Sequence, residues 1–414
     1  MKNFLKDKRQ PALDFLRYIG PGLIVAVGFI DPGNWAANLA AGSQFGYKLL
    51  WVISLSTIML AILQHNVAHL GIVTGKCLSE NTRQFLNPVL SLIVLGTGIL
   101  AAVSTAVAEI LGGAIAINML FKLPIWLGAL LTGALVTWFL FSNSYPKIEK
   151  VIIGFVSLIG ICLLFEILII PNIDWAAAGK GWVIPSVSTK SLPIIMSALG
   201  AVVMPHNLFL HSEVIQSRQW NLKDEAVMKR QLKFEFMDTV FSMFLGWVIN
   251  SAIIIIAAAV LFPHVVDEIN EAQAMLKPLL GPASAIIFAV AFLGAGLASS
   301  VTAGMAGGSI FAGMFREPYD ISDPHSKLGV MITIFLATIT VCVLSLFSDP
   351  FQILIWSQVM LSVQLPITIF TQIYLTSSGR VMGKYKNVLS TKIIILAIGI
   401  FVTILNVVLV AQMF

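Results

Sequence analysis

The chain has 414 residues, of which 58% are hydrophobic and only 11% charged, with a mean hydropathy of +0.92. That places it far outside the soluble globular range and implies a polytopic, all-α membrane protein. The three cysteines, Cys77, Cys162 and Cys342, are odd in number and scattered, so neither a disulfide framework nor a paired-cysteine metal site follows.

Apolar runs of about 17 to 25 residues, the length that crosses roughly 30 Å of hydrocarbon, recur along the chain. They lie near residues 20–43, 49–72, 89–119, 125–142, 150–171, 192–217, 236–262, 283–314, 328–347, 351–376 and 391–413, giving eleven expected spans. The opening residues are basic, but Gly20-Pro21 and Asp31-Pro32-Gly33-Asn34 interrupt the first run and no small-residue cleavage site follows. It reads as a retained helix rather than a signal peptide. The third and eighth runs are long enough to tilt or to protrude. The loop at 172–191, beside Pro171 and containing Gly179, Gly181 and Pro185, predicts irregular extracellular structure. The connection from Ser217 to Glu235 is charged and proline-free, which predicts a short cytoplasmic helix.

Basic residues divide unevenly between the two sides that eleven spans define. Of the 25 Lys and Arg, 20 fall on the side of the N-terminus and 5 on the other, Lys48, Lys122, Lys180, Lys190 and Lys277. The positive-inside rule then puts the N-terminus in the cytoplasm of a cell-membrane protein and the C-terminus outside. The net charge of +5 is therefore topological and carries no implication of nucleic-acid binding.

Two runs are broken by the same pattern, x-Pro-x-Asn: Asp31-Pro32-Gly33-Asn34 in the first and Met204-Pro205-His206-Asn207 in the sixth. Proline removes a backbone donor, and in lipid every freed N–H or C=O must find a partner, so such breaks are tolerated mainly where they line a polar cavity. Broken helices in corresponding positions of two halves point to the substrate site of an inverted-repeat transporter. Residues 1–414 form one transporter domain on this reading. Residues 20–171 (spans one to five) make the first repeat and 192–376 (spans six to ten) the second, while 391–413, the eleventh helix, lies outside. A carboxylate, an amide and a thioether at the breaks suit a metal cation better than an organic solute.

The segments GPGLIVAVGFIDPGNWAANLAAGSQFGYKLLW and ALGAVVMPHNLFLHSEVIQSR resemble the first and sixth helices of the Nramp family of divalent-metal transporters. LGIVTGK, KIEKVIIGFVSLIGICLLFEI and SQVMLSVQLP are similar to it as well, so the resemblance runs through nearly the whole chain in order. It implies a LeuT-like inverted-repeat fold of five plus five helices. It implies import of Mn²⁺, with Fe²⁺ and Cd²⁺, by alternating access and coupled to protons, with the metal as cargo and no cofactor. The family match assigns metal ligation to Asp31, Asn34, Met204, the backbone carbonyl of Ala201 and the amide of Gln358. It links His206 and His211 to metal entry or the proton route, and it matches Glu109 and Asp238 to family acidic residues.

The residues themselves agree for the metal. Carboxylate and carbonyl oxygens suit Mn²⁺ and Fe²⁺, and a thioether is a soft contact from which Mg²⁺ and Ca²⁺ gain little. Met204 could otherwise be apolar filler, but its place immediately before an intrahelical proline favours ligation. For His206 and His211 the alternative is a hydrogen-bonded histidine that fixes the broken helix. For Glu109 and Asp238 an interhelical hydrogen bond competes evenly with proton transfer. His65 and His69 stand four apart, but position 66 is Asn, so a zinc-protease motif does not follow. Gly294, Gly296, Gly304, Gly307 and Gly308 read as a close-packing face.

The sequence departs from the proton-coupled pattern at three places. Ala106-Val107-Ala108-Glu109 stands where an acidic residue usually precedes the glutamate. Ser326-Lys327-Leu328 replaces paired arginines, and Gly296-Leu297-Ala298-Ser299-Ser300 replaces a glutamine-containing stretch. Metal binding is expected to survive, with proton coupling weak or lost. The rivals are a same-fold transporter of a harder ion such as Mg²⁺, which Asn34 and Met204 disfavour, and an amino-acid symporter, whose carboxylate Asp31 would repel. From other classes, a metal-permeable channel would not need two broken helices, and a membrane-embedded metalloenzyme would need a nucleophile or metal-and-base motif that is not found. The chain is expected not to be an enzyme.

Overall fold

A computed structural model describes residues 21–28, 30–142, 145–170, 173–218, 225–263 and 282–413. The basic N-terminal stretch, residues 219–224 of the expected cytoplasmic connection and Lys277 lie outside the described residues. Sixteen α-helices occur among the described residues: α1 (Pro21–Gly28), α2 (Pro32–Phe45), α3 (Leu50–Thr74), α4 (Leu78–Phe85), α5 (Pro88–Phe121), α6 (Ile125–Ser142), α7 (Tyr145–Ile169) and α8 (Trp175–Val183). They continue with α9 (Leu192–Val202), α10 (Pro205–Val214), α11 (Glu225–Val260), α12 (Pro282–Met314), α13 (Pro324–Leu344), α14 (Pro350–Thr376), α15 (Gly379–Met382) and α16 (Leu389–Met413).

Several helices start at an Asp-Pro or Asn-Pro pair, at Asp31, Asn87, Asp323 and Asp349. Proline suits the first helical position because its missing N–H would be unpaired there anyway, and the preceding Asp or Asn can bond the next free donors. Asn87 and Asp349 do so to Val89 and Phe351. α3 stops at Gly75, whose φ of 67° is the left-handed C-terminal conformation that glycine adopts without strain.

Both expected breaks are present, between α1 and α2 and between α9 and α10. Ten helical runs are long and apolar enough to cross a membrane among the described residues, against the eleven expected. The difference arises at the start, where Pro32–Thr74 forms one continuous run that contains α2, a 3-10 turn and α3. Two local expectations are corrected. The 172–191 loop is not irregular throughout: Asp174 caps α8 by accepting from the Ala177 N–H, and Gly181 packs against the Tyr47 carbonyl, too closely for a Cβ. Nor is there a separate short helix before span seven from Glu225 onward, because those charged turns continue into α11 without interruption.

The broken helices occupy the centre. Every residue of α10 is buried, as are Pro32 to Ser43 of α2. α5 and α12 pack closely together beside them, α11 and α14 close the remaining sides, and α6, α7, α13 and α16 lie farther out. The glycine face is a packing device as expected: a Cβ at Gly296 would meet the backbone of α5, and one at Gly304 or Gly308 would meet Leu140 or Tyr319 and Val330. Large apolar side chains such as Leu100, Trp138, Leu168, Phe335 and Ile404 point outward, the arrangement a hydrocarbon solvent favours.

Candidate metal centre between the helix breaks

Asp31 caps α2. Its Oδ1 accepts from the Asn34 backbone N–H at 3.0 Å and from Asn34 Nδ2 at 2.6 Å, and its Oδ2 accepts from Gly33 N–H at 3.1 Å. Asn34 Nδ2 also donates to the Ala201 carbonyl at 2.7 Å, across from the first break to the last turn of α9. From α14, Gln358 Nε2 donates to Asp31 Oδ2 at 3.3 Å. Met204 immediately precedes α10 as its N-cap, and its Sδ receives Asn207 Nδ2 at 3.5 Å.

Asp31, Asn34, Ala201, Met204 and Gln358 are all completely buried. The structure thus connects Asp31, Asn34, Ala201 and Gln358 directly, and places Met204 three residues after Ala201 across the second break. Two glycines make the close approach possible. A Cβ on Gly33 would overlap the Gln358 amide, and one on Gly28 would overlap the Asn207 amide. α5 presses on the same break, since a Cβ on Gly112 would run into the Pro32 ring.

The polar inventory is unbalanced. Among the described residues, Asn34 Oδ1, Gln358 Oε1 and Asn207 Oδ1 are buried without a hydrogen-bond partner, and so are both ring nitrogens of His206. Buried polar atoms are nearly always paired, so the unpaired amide oxygens of Asn34 and Gln358 beside the buried Asp31 carboxylate suit a cation site. The donors on offer are a carboxylate, amide and peptide carbonyl oxygens and a thioether sulfur, a set for a borderline divalent ion.

The other candidates separate. His211 Nδ1 pairs with Gln64 Oε1 at 2.8 Å while its Nε2 has no partner. Gln64, an uncharged amide in the second apolar run, escaped the sequence reading; its only signal was polarity at membrane depth. Glu109 on α5 accepts weakly from Thr105 at 3.4 Å, leaves Oε2 unpartnered, and is close enough to Asp31 to interact with it electrostatically. Asp238 instead anchors α1 to α11, accepting the Gly22 N–H at 2.8 Å and the Ser242 hydroxyl at 3.4 Å, a favourable place for a carboxylate at a helix N-terminus. His65 pairs with Glu235 at 2.6 Å and stacks on His69, so the two imidazoles do not form a chelate. At the departures, Ala106 is buried, and Ser299 and Ser300 bond back to carbonyls of their own helix.

The family described as natural resistance-associated macrophage protein-like, Nramp, matches residues 22–412. A divalent metal cation transporter, MntH, of Nostoc sp. is 37% identical over 406 residues, covering 94% of this chain and 90% of its own. The MntH of Listeria monocytogenes is 34% identical over 399 residues, covering 94% and 88%. Among solved structures, the manganese transporter of Eremococcus coleocola superposes with a TM-score of 0.87 at 29% identity, covering 98% of this chain and 88% of its own. A nucleobase-cation-symport-1 family transporter in a closed conformation superposes with a TM-score of 0.65 at 17% identity, covering 86% and 78%. These superpositions make the fold LeuT-like.

Proposed function

The chain belongs to the Nramp family and is a multi-pass membrane transporter of divalent metal cations, not an enzyme, and from that premise we propose that its cargo is Mn²⁺, held between the two helix breaks. The observation that carries this reading is Asp31, a wholly buried carboxylate bonded by the side chains of Asn34 and Gln358, whose amide oxygens have no partner among the described residues, and linked through Asn34 to the Ala201 carbonyl across the breaks. Asn34 and Gln358 turn their NH₂ groups toward Asp31; a half-turn of each amide exchanges donor for acceptor and presents oxygen to an ion. Met204 adds sulfur. Fe²⁺ and Cd²⁺ fit the same donors, while Mg²⁺ and Ca²⁺ gain little from the thioether.

Transport proceeds by alternating access, the repeat at 20–171 moving against that at 192–376 around this site, with the N-terminus cytoplasmic and the C-terminus outside. The five donors are closed to solvent, so each passage needs a rearrangement of α1, α2, α9 and α10. His206, whose two ring nitrogens have no partner among the described residues, serves metal entry or the proton route, and His211, paired with Gln64 of α3, lies one to two turns further along α10.

Met204→Ala spares the oxygen donors. It is expected to weaken Mn²⁺ and Cd²⁺ uptake and to make Ca²⁺ or Mg²⁺ stronger competitors, read as inhibition of Mn²⁺ uptake into liposomes. An unchanged competition profile would mean that the sulfur is not the filter.

Proton coupling is expected to be loose. Ala106 cannot titrate, α13 carries no arginine to hold neighbouring carboxylates ionised, and among the described residues Glu109 has only a long hydrogen bond from Thr105. Uptake should continue without a pH gradient, driven by the metal gradient and the membrane potential. Metal entry and internal pH recorded together in liposomes test this: acidification in fixed ratio to Mn²⁺ entry would show that Glu109 or the histidines suffice as proton carriers.

A further inference from the structure

Away from the helix breaks, three buried metal-ligating side chains from two elements converge. Cys77 immediately precedes α4 as its N-cap, Glu80 lies in the first turn of that helix, and Glu213 lies in the last turn of α10. The Cys77 Sγ and one carboxylate oxygen from each glutamate all lie within 4.8 Å of one another. Cys77 is wholly buried, and Glu80 and Glu213 are each 8% exposed.

The surroundings hold this group in place. Glu80 Oε2 accepts the Cys77 backbone N–H at 2.9 Å, Glu213 Oε2 accepts the Ser309 hydroxyl of α12 at 3.1 Å, and Ser212 Oγ accepts the Leu78 N–H at 2.7 Å. Ser79 lies 3.0 Å from the thiol and donates to the Ser309 carbonyl. No Lys or Arg pairs with either glutamate among the described residues, and the nearby Arg83 is committed to the Met314 carbonyl and the Ser91 hydroxyl. Two carboxylates buried against each other and a thiol, without a cationic side chain, are unfavourable unless each keeps a proton or a cation joins them.

We infer that Cys77, Glu80 and Glu213 form a second metal site, separate from the transport site, that takes a thiophilic divalent cation such as Zn²⁺ or Cd²⁺. One sulfur and two oxygens make three protein ligands and leave a coordination position for water. Metal–sulfur bonds of about 2.3 Å and metal–oxygen bonds of about 2.0–2.2 Å in tetrahedral geometry put ligand atoms roughly 3.5 Å apart, so binding needs the three atoms to draw together by no more than about 1.3 Å. As the Sγ–metal bond forms, the thiol proton leaves to water. Thiolate selects Zn²⁺ and Cd²⁺ over Mn²⁺, the opposite bias to an oxygen-rich cargo site. Because Glu213 sits on α10 and the other two ligands on α4, a bound ion ties the second broken helix to α4.

The test is Cd²⁺ binding to the purified full chain, counted per chain after dialysis and followed by thiolate-to-Cd²⁺ ultraviolet absorption. The wild type is expected to bind one Cd²⁺ more than Cys77→Ala, and the absorption to vanish in that variant while Mn²⁺ uptake persists. Asp31→Ala is expected to lose the transport-site ion and keep the absorption. Glu213→Gln retains the thiol; loss of even an outer partner costs about 10- to 100-fold in metal affinity, so losing this ligand should weaken Cd²⁺ at least that much. Undiminished stoichiometry or absorption in Cys77→Ala, or undiminished affinity in Glu213→Gln, would overturn the site. If Cys77→Ala loses an ion and Asp31→Ala loses none, this site stands and the transport-site assignment fails.

Discussion

Asp31→Ala is expected to abolish Mn²⁺ uptake while leaving a folded, membrane-inserted protein. Asp31 supplies the anionic donor between the breaks and also organises them, accepting from Gly33, Asn34 and Gln358. Truncating one partner of a buried charged pair costs about 2–5 kcal/mol, which for metal affinity is on the order of 30- to several-thousand-fold. The fold survives because the helices around the breaks are held by broad apolar packing, with Trp35 lodged edge-on against Phe288 and Phe292. Uptake of Mn²⁺ into liposomes by a variant that elutes as a homogeneous species separates loss of the site from loss of the protein. Asp31→Asn should recover little, since it keeps the shape but not the charge.

Gly33→Ala is expected to reduce uptake, by roughly 5- to 150-fold and so less than Asp31→Ala, although it removes no ligand. A methyl at this position would occupy the space of the Gln358 side-chain amide, whose contact with Asp31 joins α14 to the first break. Overpacking a closed interior costs about 1–3 kcal/mol, and here the yielding group is a proposed ligand. The effect should fall mainly on metal affinity. Gln358→Ala in the Gly33→Ala background should then add little further loss, because the first substitution has already displaced the amide; additive losses in a double-mutant cycle would show that the two residues act separately.

The contrast between these residues explains what was legible in the sequence. The breaks could be read directly, because proline inside an apolar run has few uses and Asp31 and Met204 stand immediately before one. Helix ends agree to within a few residues where an Asp-Pro or Asn-Pro pair starts them, as at α5, α13 and α14. α8 was missed because its nine residues are too few for periodicity to outweigh the neighbouring Gly and Pro. The helix expected between Ser217 and Glu235 was read as separate from span seven because apolar length marks where a helix enters lipid, not where it starts; Glu225 to Lys233, good helix formers in water, run straight into α11.

Long-range pairs were the other blind spot. That Gln64 meets His211, or that Glu213 on α10 meets Cys77 on α4, depends on packing between helices far apart in the chain. Resemblance supplied Gln358 as a candidate ligand; the close approach over Gly33 gives a physical reason for it. Asp238, named on the same grounds, turns out to hold the start of α1.

Anomalous scattering from a crystal of the full chain grown with Mn²⁺, collected at the manganese edge, tests the central claim most directly. The account predicts one dominant peak between Asp31, Asn34, Met204 and the Ala201 carbonyl, absent in Asp31→Ala. A dominant peak elsewhere in the protein, with the space between the two breaks bare, would contradict it.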